Sequence, residues 1–178
     1  MIIVMGVPGA GKSSVLSGAA GSGYIFVNYG DLMFEIAKVK FSLQNRDEMR
    51  KLDVKKQSEV QKAVAEKLAG MKGKIILDTH CSIATPSGYL PGLPFALLGK
   101  LKVEKLVYIT APPNEILARR QKDATRKRES SIEQLQDHEG INRAFLAAYS
   151  AFTGSPAAII YNRDGALESA VADFKKLL

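Results

Sequence analysis

Gly6-Val7-Pro8-Gly9-Ala10-Gly11-Lys12-Ser13 is the stretch that decides the fold. It matches G-x-x-x-x-G-K-[ST] without a break, directly after the apolar run Ile2 to Met5. A segment carrying Val15, Leu16, Ala19 and Ala20 on one side follows it, which reads as strand, glycine loop and helix. Glycines let the backbone curl until successive N–H groups point inward at phosphate oxygens. Gly6, Val7, Pro8, Gly9, Ala10, Gly11, Lys12, Ser13 and Ser14 are therefore the expected nucleoside triphosphate cradle. Lys12 would reach the β and γ phosphates, and the Ser13 hydroxyl would be a ligand of Mg²⁺.

Working outward, four more short runs recur between helical patterns: Tyr24 to Asn28, Lys74 to Asp78, Lys105 to Ile109 and Ala157 to Asn162. Strands separated by helices predict an α/β fold, a five-stranded parallel sheet flanked by helices on both faces. Pro112 and Pro113 suit a helix start. The insert from Ser42 to Gly73 reads mainly as helix, with Val60, Val64 and Leu68 four apart. Ser130 and Glu133 fit a capping box, predicting a helix that buries Ile141, Ala144, Phe145, Ala148 and Phe152. Leu167, Val171, Phe174 and Leu178 predict an apolar stripe on the last helix.

With 178 residues, 46% of them hydrophobic and 24% charged, the chain suits one globular domain spanning 1–178 and excludes a disordered tract. Its single cysteine, Cys81, cannot close an internal disulfide. No basic residue precedes Lys12, so a secretory leader is not expected and the chain reads as cytoplasmic. The uncharged stretch Ala144 to Asn162 is broken by Gly154, Ser155 and Pro156, which argues against a membrane span. Within the net charge of +7, Arg119, Arg120, Lys122, Arg126, Lys127 and Arg128 stand against Asp123 alone. That segment reads as a solvated loop, a clamp for polyphosphate or a nucleic-acid patch, and charge alone does not choose.

Asp78 ends an apolar run, where a carboxylate can hold magnesium through water; turn-favouring Asp can equally be structural there. Asp31, in Asn28-Tyr29-Gly30-Asp31, either caps the following helix or faces a second substrate at the carboxyl ends of the strands. His80 reads more readily as a hydrogen-bonded structural residue than as a base.

Together, the glycine loop, Asn28-Tyr29-Gly30-Asp31, Arg46-Asp47-Glu48-Met49-Arg50-Lys51-Leu52, Asp78-Thr79-His80 and Thr85-Pro86-Ser87-Gly88-Tyr89-Leu90-Pro91-Gly92-Leu93-Pro94 resemble the archaeal-type adenylate kinases. The resemblance covers most of the chain. It implies a P-loop NTPase three-layer fold with a helical AMP-binding region at about 29–73 and a lid at about 118–131. It implies the reaction Mg²⁺·ATP + AMP ⇌ 2 ADP and a homotrimer. Carried over, Asn28, Tyr29, Gly30, Asp31, Arg50, Thr85 and Gly88 border AMP, Lys12, Arg126 and Arg128 are catalytic, and Ser13 and Asp78 serve the metal. Lys122 stands where the family has a lid arginine, and Phe145 where it has a helix arginine, with Arg143 nearby.

Phosphoryl transfer to an ionised phosphate needs cations and in-line placement but no base to remove a proton, and this chain is rich in arginine and lysine. An alcohol acceptor, as in shikimate kinases, would instead require Asp31 to take its proton. A nucleotide-dependent RNA-binding module is the reading from another class; no aromatic-interleaved basic motif supports it.

Overall fold

The computed structural model describes residues 1–122 and 131–178. Strands β1 (Ile2–Met5), β2 (Ile25–Asn28), β3 (Ile75–Asp78), β6 (Lys105–Thr110) and β7 (Ala157–Tyr161) form one parallel sheet in the order β2-β3-β1-β6-β7. The five expected strands are all there, with ends shifted by a residue. β4 (Ser82–Thr85) and β5 (Gly88–Pro91) make a separate antiparallel hairpin. Pattern reading did not resolve this hairpin because its strands are four residues each and half exposed.

β1, β3 and most of β6 are buried on both sides, as expected of central parallel strands covered by helices. Ile3, Met5, Leu77, Leu106 and Tyr108 face one core, shared with α2 (Tyr29–Phe41), α4 (Val54–Gly70), α5 (Phe95–Leu98) and α7 (Ile132–Thr153). Ile2, Val4, Ile76, Val107 and Ile109 face the other, under α1 (Lys12–Gly18) and α8 (Leu167–Lys175). The period of two thus sorts each strand's side chains between layers.

Val60, Val64 and Leu68 are buried along α4 as expected, and Asp53 caps that helix by accepting from the Lys56 N–H. The short α3 (Arg46–Arg50) begins at Asn45, whose side chain accepts from the Glu48 N–H. α6 (Pro113–Lys122) starts on the expected proline. On α8, Phe174 and Ala170 are buried but Leu167 is 42% exposed, so the stripe begins one turn later than its spacing indicated.

Two expectations for α7 are corrected. The capping box is one residue on, at Ser131 and Gln134: Ser131 Oγ accepts from the Gln134 N–H at 3.2 Å, and Gln134 Oε1 accepts from the Ser131 N–H at 3.0 Å. The buried face is Leu135, Asn142, Leu146 and Tyr149, whereas Ala144 and Ala148 are exposed and Phe152 is 51% exposed. Of the expected stripe, Ile141 and Phe145 are half-buried, Phe145 packing against the core, while polar partners on β4 and β6 take polar α7 side chains at the centre of the interface. Gly154 ends the helix and β7 follows. No helix among the described residues is long and apolar enough to cross a membrane.

Candidate active site

The carboxyl ends of β1, β3 and β2 lie side by side, and the loops leaving them enclose a cleft of about 910 Å³. The first loop is the glycine segment. Gly9 and Gly11 have φ of 96° and 81°, in the left-handed region that side chains rarely adopt. A Cβ on Gly11 would overlap the Asn162 amide, and one on Gly6 would overlap the Ile109 carbonyl. The backbone is therefore drawn tightly over the sheet.

Its outward carbonyls are held by side chains. Asn162 Nδ2 donates to the Ala10 carbonyl at 2.9 Å and Arg120 Nε to the Pro8 carbonyl at 2.9 Å. Arg119 donates to the Asn162 carbonyl at 2.9 Å and is fixed by Asp164 at 2.8 and 2.5 Å and by Glu115 at 3.1 Å. The Ala10 N–H closes the loop on the Val7 carbonyl at 3.2 Å, and with these carbonyls tied by side chains the curled backbone is a nest of the kind that binds an anion.

Lys12 Nζ lies 3.0 Å from Asp78 Oδ1 and donates to the Thr79 carbonyl at 3.1 Å. Asp78 Oδ2 accepts from Asn28 Nδ2 at 2.9 Å, across the register that pairs Asn28 with Asp78. Asp78 Oδ1 is buried and has no hydrogen bond; Lys12 approaches it as an ion pair without hydrogen-bond alignment. That oxygen and the exposed Ser13 hydroxyl fit a phosphate-bound divalent cation. Among the described residues no group of three or more His, Cys, Asp or Glu could hold a metal alone, so phosphate oxygens would have to complete the shell.

The opposite wall comes from β2 and the segment beyond it. Asn28, not Asp31, caps α2: its Oδ1 accepts from the Asp31 N–H at 3.0 Å. Asp31 is thereby left to pair with Arg46. Gly30, Asp31, Arg46 and His80 all line the cleft with Lys12, Ser13, Asn28 and Asp78. Arg46 was not singled out as a site residue from sequence, its signal being its place in the Arg46 to Leu52 motif; His80, read there as a structural residue, lines the cleft as well.

Other expected residues lie elsewhere. Tyr29 is buried in the core, which pushes its phenol up to about 12 and leaves its hydroxyl unpaired. Thr85 and Gly88 join the ends of the β4–β5 hairpin, Thr85 Oγ1 donating to the Gly88 carbonyl at 2.8 Å. Neither lines the cleft, and Ser14 lines a groove between α1 and α8. Arg50 ends α3 with its side chain outside the described residues, as are Arg126 and Arg128. Arg143 is held by Glu139 at 3.2 Å and the Tyr161 hydroxyl at 3.2 Å, while Phe145 packs against Tyr149. Burial, reinforced by Glu139, pushes the Cys81 thiol up to about 12, so it is an inert core group.

A glycine nest with its lysine, a strand-end carboxylate beside it and a second wall carrying the Asp31–Arg46 pair in the same cleft define a P-loop phosphotransferase acting on a small acceptor. A family model described as an AAA domain matches residues 5–136. Adenylate kinases of Methanopyrus kandleri and Thermoplasma acidophilum are each 44% identical to this chain, covering 98% and 99% of it and 95% and 97% of their own length. That of Methanothermobacter thermautotrophicus is 40% identical over 100% of this chain and 98% of its own. The chain belongs to the adenylate kinase family. Among solved structures, shikimate kinase from Acinetobacter baumannii superposes with a TM-score of 0.60 at 18% identity, covering 99% of this chain and 91% of the other. Shikimate kinase from Bacteroides thetaiotaomicron does so at 0.59 and 13%, covering 99% and 96%. These share the three-layer P-loop fold.

Proposed function

We propose that the chain transfers the γ-phosphoryl group of Mg²⁺·ATP reversibly to AMP, giving two ADP. The observation that carries this is the cleft itself, lined by Lys12 beyond β1 and by Asp31 and Arg46 beyond β2, with Asp78 at the end of β3 between them. The nest at 6–13 holds the donor phosphates, and Lys12, on leaving Asp78, follows charge onto the transferring group. Ser13 and, through water, Asp78 are the residues that would hold a divalent cation, which would supply neutralisation of phosphate charge.

Arg46 is the described cation on the acceptor side, and with Arg50 it is assigned to the acceptor phosphate. An AMP phosphate is already ionised, so no residue need act as base. The pairing of Arg46 with Asp31 holds a guanidinium at the wall where a phosphate would lie, an arrangement that favours an anionic acceptor over a neutral alcohol. Asn28 and Gly30, which line the cleft, are assigned to the acceptor region, and Tyr29 supports it from the core.

The segment 118–131 is assigned as the lid, with Arg126 and Arg128 closing on the phosphates to exclude water. A homotrimer would cover the exposed Ala144, Ala148 and Phe152 on the outer face of α7, and the cytoplasm is the compartment assigned. The deciding experiment is an acceptor panel: purified protein, Mg²⁺·ATP, and AMP, CMP, UMP, GMP and shikimate in parallel. Transfer to AMP above all others is expected. Preference for shikimate overturns the reading, and salt-sensitive RNA binding without transfer would replace it with a binding module.

A further inference from the structure

The β4–β5 hairpin continues directly from Thr79 and His80, which line the cleft, yet no strand of the main sheet pairs with it. What fixes it is a chain of polar side chains on the inner face of α7. Asn142, 1% exposed, accepts at Oδ1 from the Ser82 hydroxyl at 2.6 Å and donates through Nδ2 to the Tyr108 hydroxyl at 3.1 Å. Tyr108 donates to Glu139 Oε2 at 2.7 Å, and Thr110 donates to Glu139 Oε1 at 2.8 Å.

At the other end His138 Nε2 lies 3.1 Å from Ser82 Oγ. Because the Ser82 proton is committed to Asn142, His138 must be the donor, which assigns its Nε2–H tautomer. Every bond thus runs in one direction, from the imidazole to the Glu139 carboxylate. The His138 ring also packs on Tyr89 with centroids 5.0 Å apart, so it grips both strands of the hairpin. The Asn142 backbone carbonyl accepts from the Cys81 thiol at 3.1 Å, and Tyr149 donates to the Cys81 carbonyl at 2.9 Å.

Apolar contacts would bury this interface as well but would tolerate sliding; a fully satisfied relay permits one seating of the hairpin. We propose that Asn142, with His138 and Glu139, is the positioning group that sets the part of the cleft after β3, between the nest and the Asp31–Arg46 wall, and so the seat of the acceptor. Through Ser82 and Cys81 it holds the chain that carries Thr79 and His80, and it does so from the helix that follows the 118–131 segment. The inference rests on the acceptor reading proposed above. Lys12 does meet this stretch of chain, at the Thr79 carbonyl. Thr79 is anchored independently, however, by its N–H on the Val4 carbonyl at 2.9 Å, and the donor nest is braced by Asn162, Arg119 and Arg120. The relay therefore acts chiefly on the acceptor side, through the segment from His80 onward.

The test is steady-state kinetics on Asn142→Ala and His138→Leu with AMP and Mg²⁺·ATP varied in turn. KM for AMP should rise about tenfold in Asn142→Ala and a few-fold in His138→Leu, with KM for ATP unchanged within about twofold. A merely structural role would move both KM values together or lower only the active fraction. Parental kinetics in both variants, or equal rises in both KM values, overturns the proposal. His138 lies at the relay's outer end, so its variant decides the matter should Asn142→Ala fail to fold. Wild-type protein that does not prefer AMP in the acceptor panel would instead sink the acceptor reading, a result visible before any variant is made.

Discussion

Gly11 carries the sharpest single-residue prediction. Its φ of 81° and the approach of the Asn162 amide leave no room for a side chain. Gly11→Ala should weaken ATP binding by about tenfold or more, since strain of a few kcal/mol at a functional turn is felt directly in binding. Titration calorimetry with ATP checks it, and parental affinity would contradict it. His138 gives a pH prediction. Burial, aided by Arg120, holds its pKa below the ordinary 6.5, while hydrogen bonding to Ser82 and the charge of Glu139 pull the other way. The folded state therefore favours the neutral ring: its contribution to stability is complete above 6.5 and is lost as pH falls through the lower folded value. Thermal melts of wild type should fall across that window, and His138→Gln should flatten that part of the fall. At this scale the nest was legible because its spacing is unusual. The Asn28 cap was not, since Asn and Asp compete equally well for the position and only the fold decides between them.

At the scale of elements, α7 is the instructive case. Its start was read one residue early because Ser130-Ser131 offers two serines, each followed three residues on by a side chain able to complete a capping box. Ser131→Ala should cost about 1 kcal/mol and lower Tm by about 2–4 °C, measurable by calorimetry; an unchanged Tm would contradict the observed cap. Its buried face was misread for a physical reason. Sequence patterning places apolar residues inward, but Tyr108, Thr110 and Ser82 bring hydroxyls to this interface, and these must be satisfied by Glu139, Asn142 and His138. The central strands β1, β3 and β6 were read nearly whole because buried parallel strands are continuous apolar runs, and the mostly exposed edge strands β2 and β7 because β-branched and aromatic residues mark them. The β4–β5 hairpin, with exposed Ile83 and Leu90, offers no such run.

For the whole molecule, strand order brings the ends of β1, β3 and β2 together, and it is this adjacency, invisible in any one motif, that makes a nest and an acceptor wall into one cleft. Arg46 became a site residue only when that adjacency was seen. Arg46→Ala should raise KM for AMP by about tenfold or more with KM for ATP unchanged; a rise in the ATP value alone would place the arginine on the donor. Arg126→Ala should lower kcat by about 10³ with a smaller effect on KM for AMP, and full turnover would remove the assigned segment from the reaction. The most direct measurement of the central claim is product stoichiometry, followed by chromatography of the nucleotides during a single reaction with Mg²⁺·ATP and AMP. Two ADP formed for each AMP consumed is the result required, with ATP and AMP regenerated when ADP alone is supplied. ADP and inorganic phosphate accumulating while AMP stays constant would contradict it.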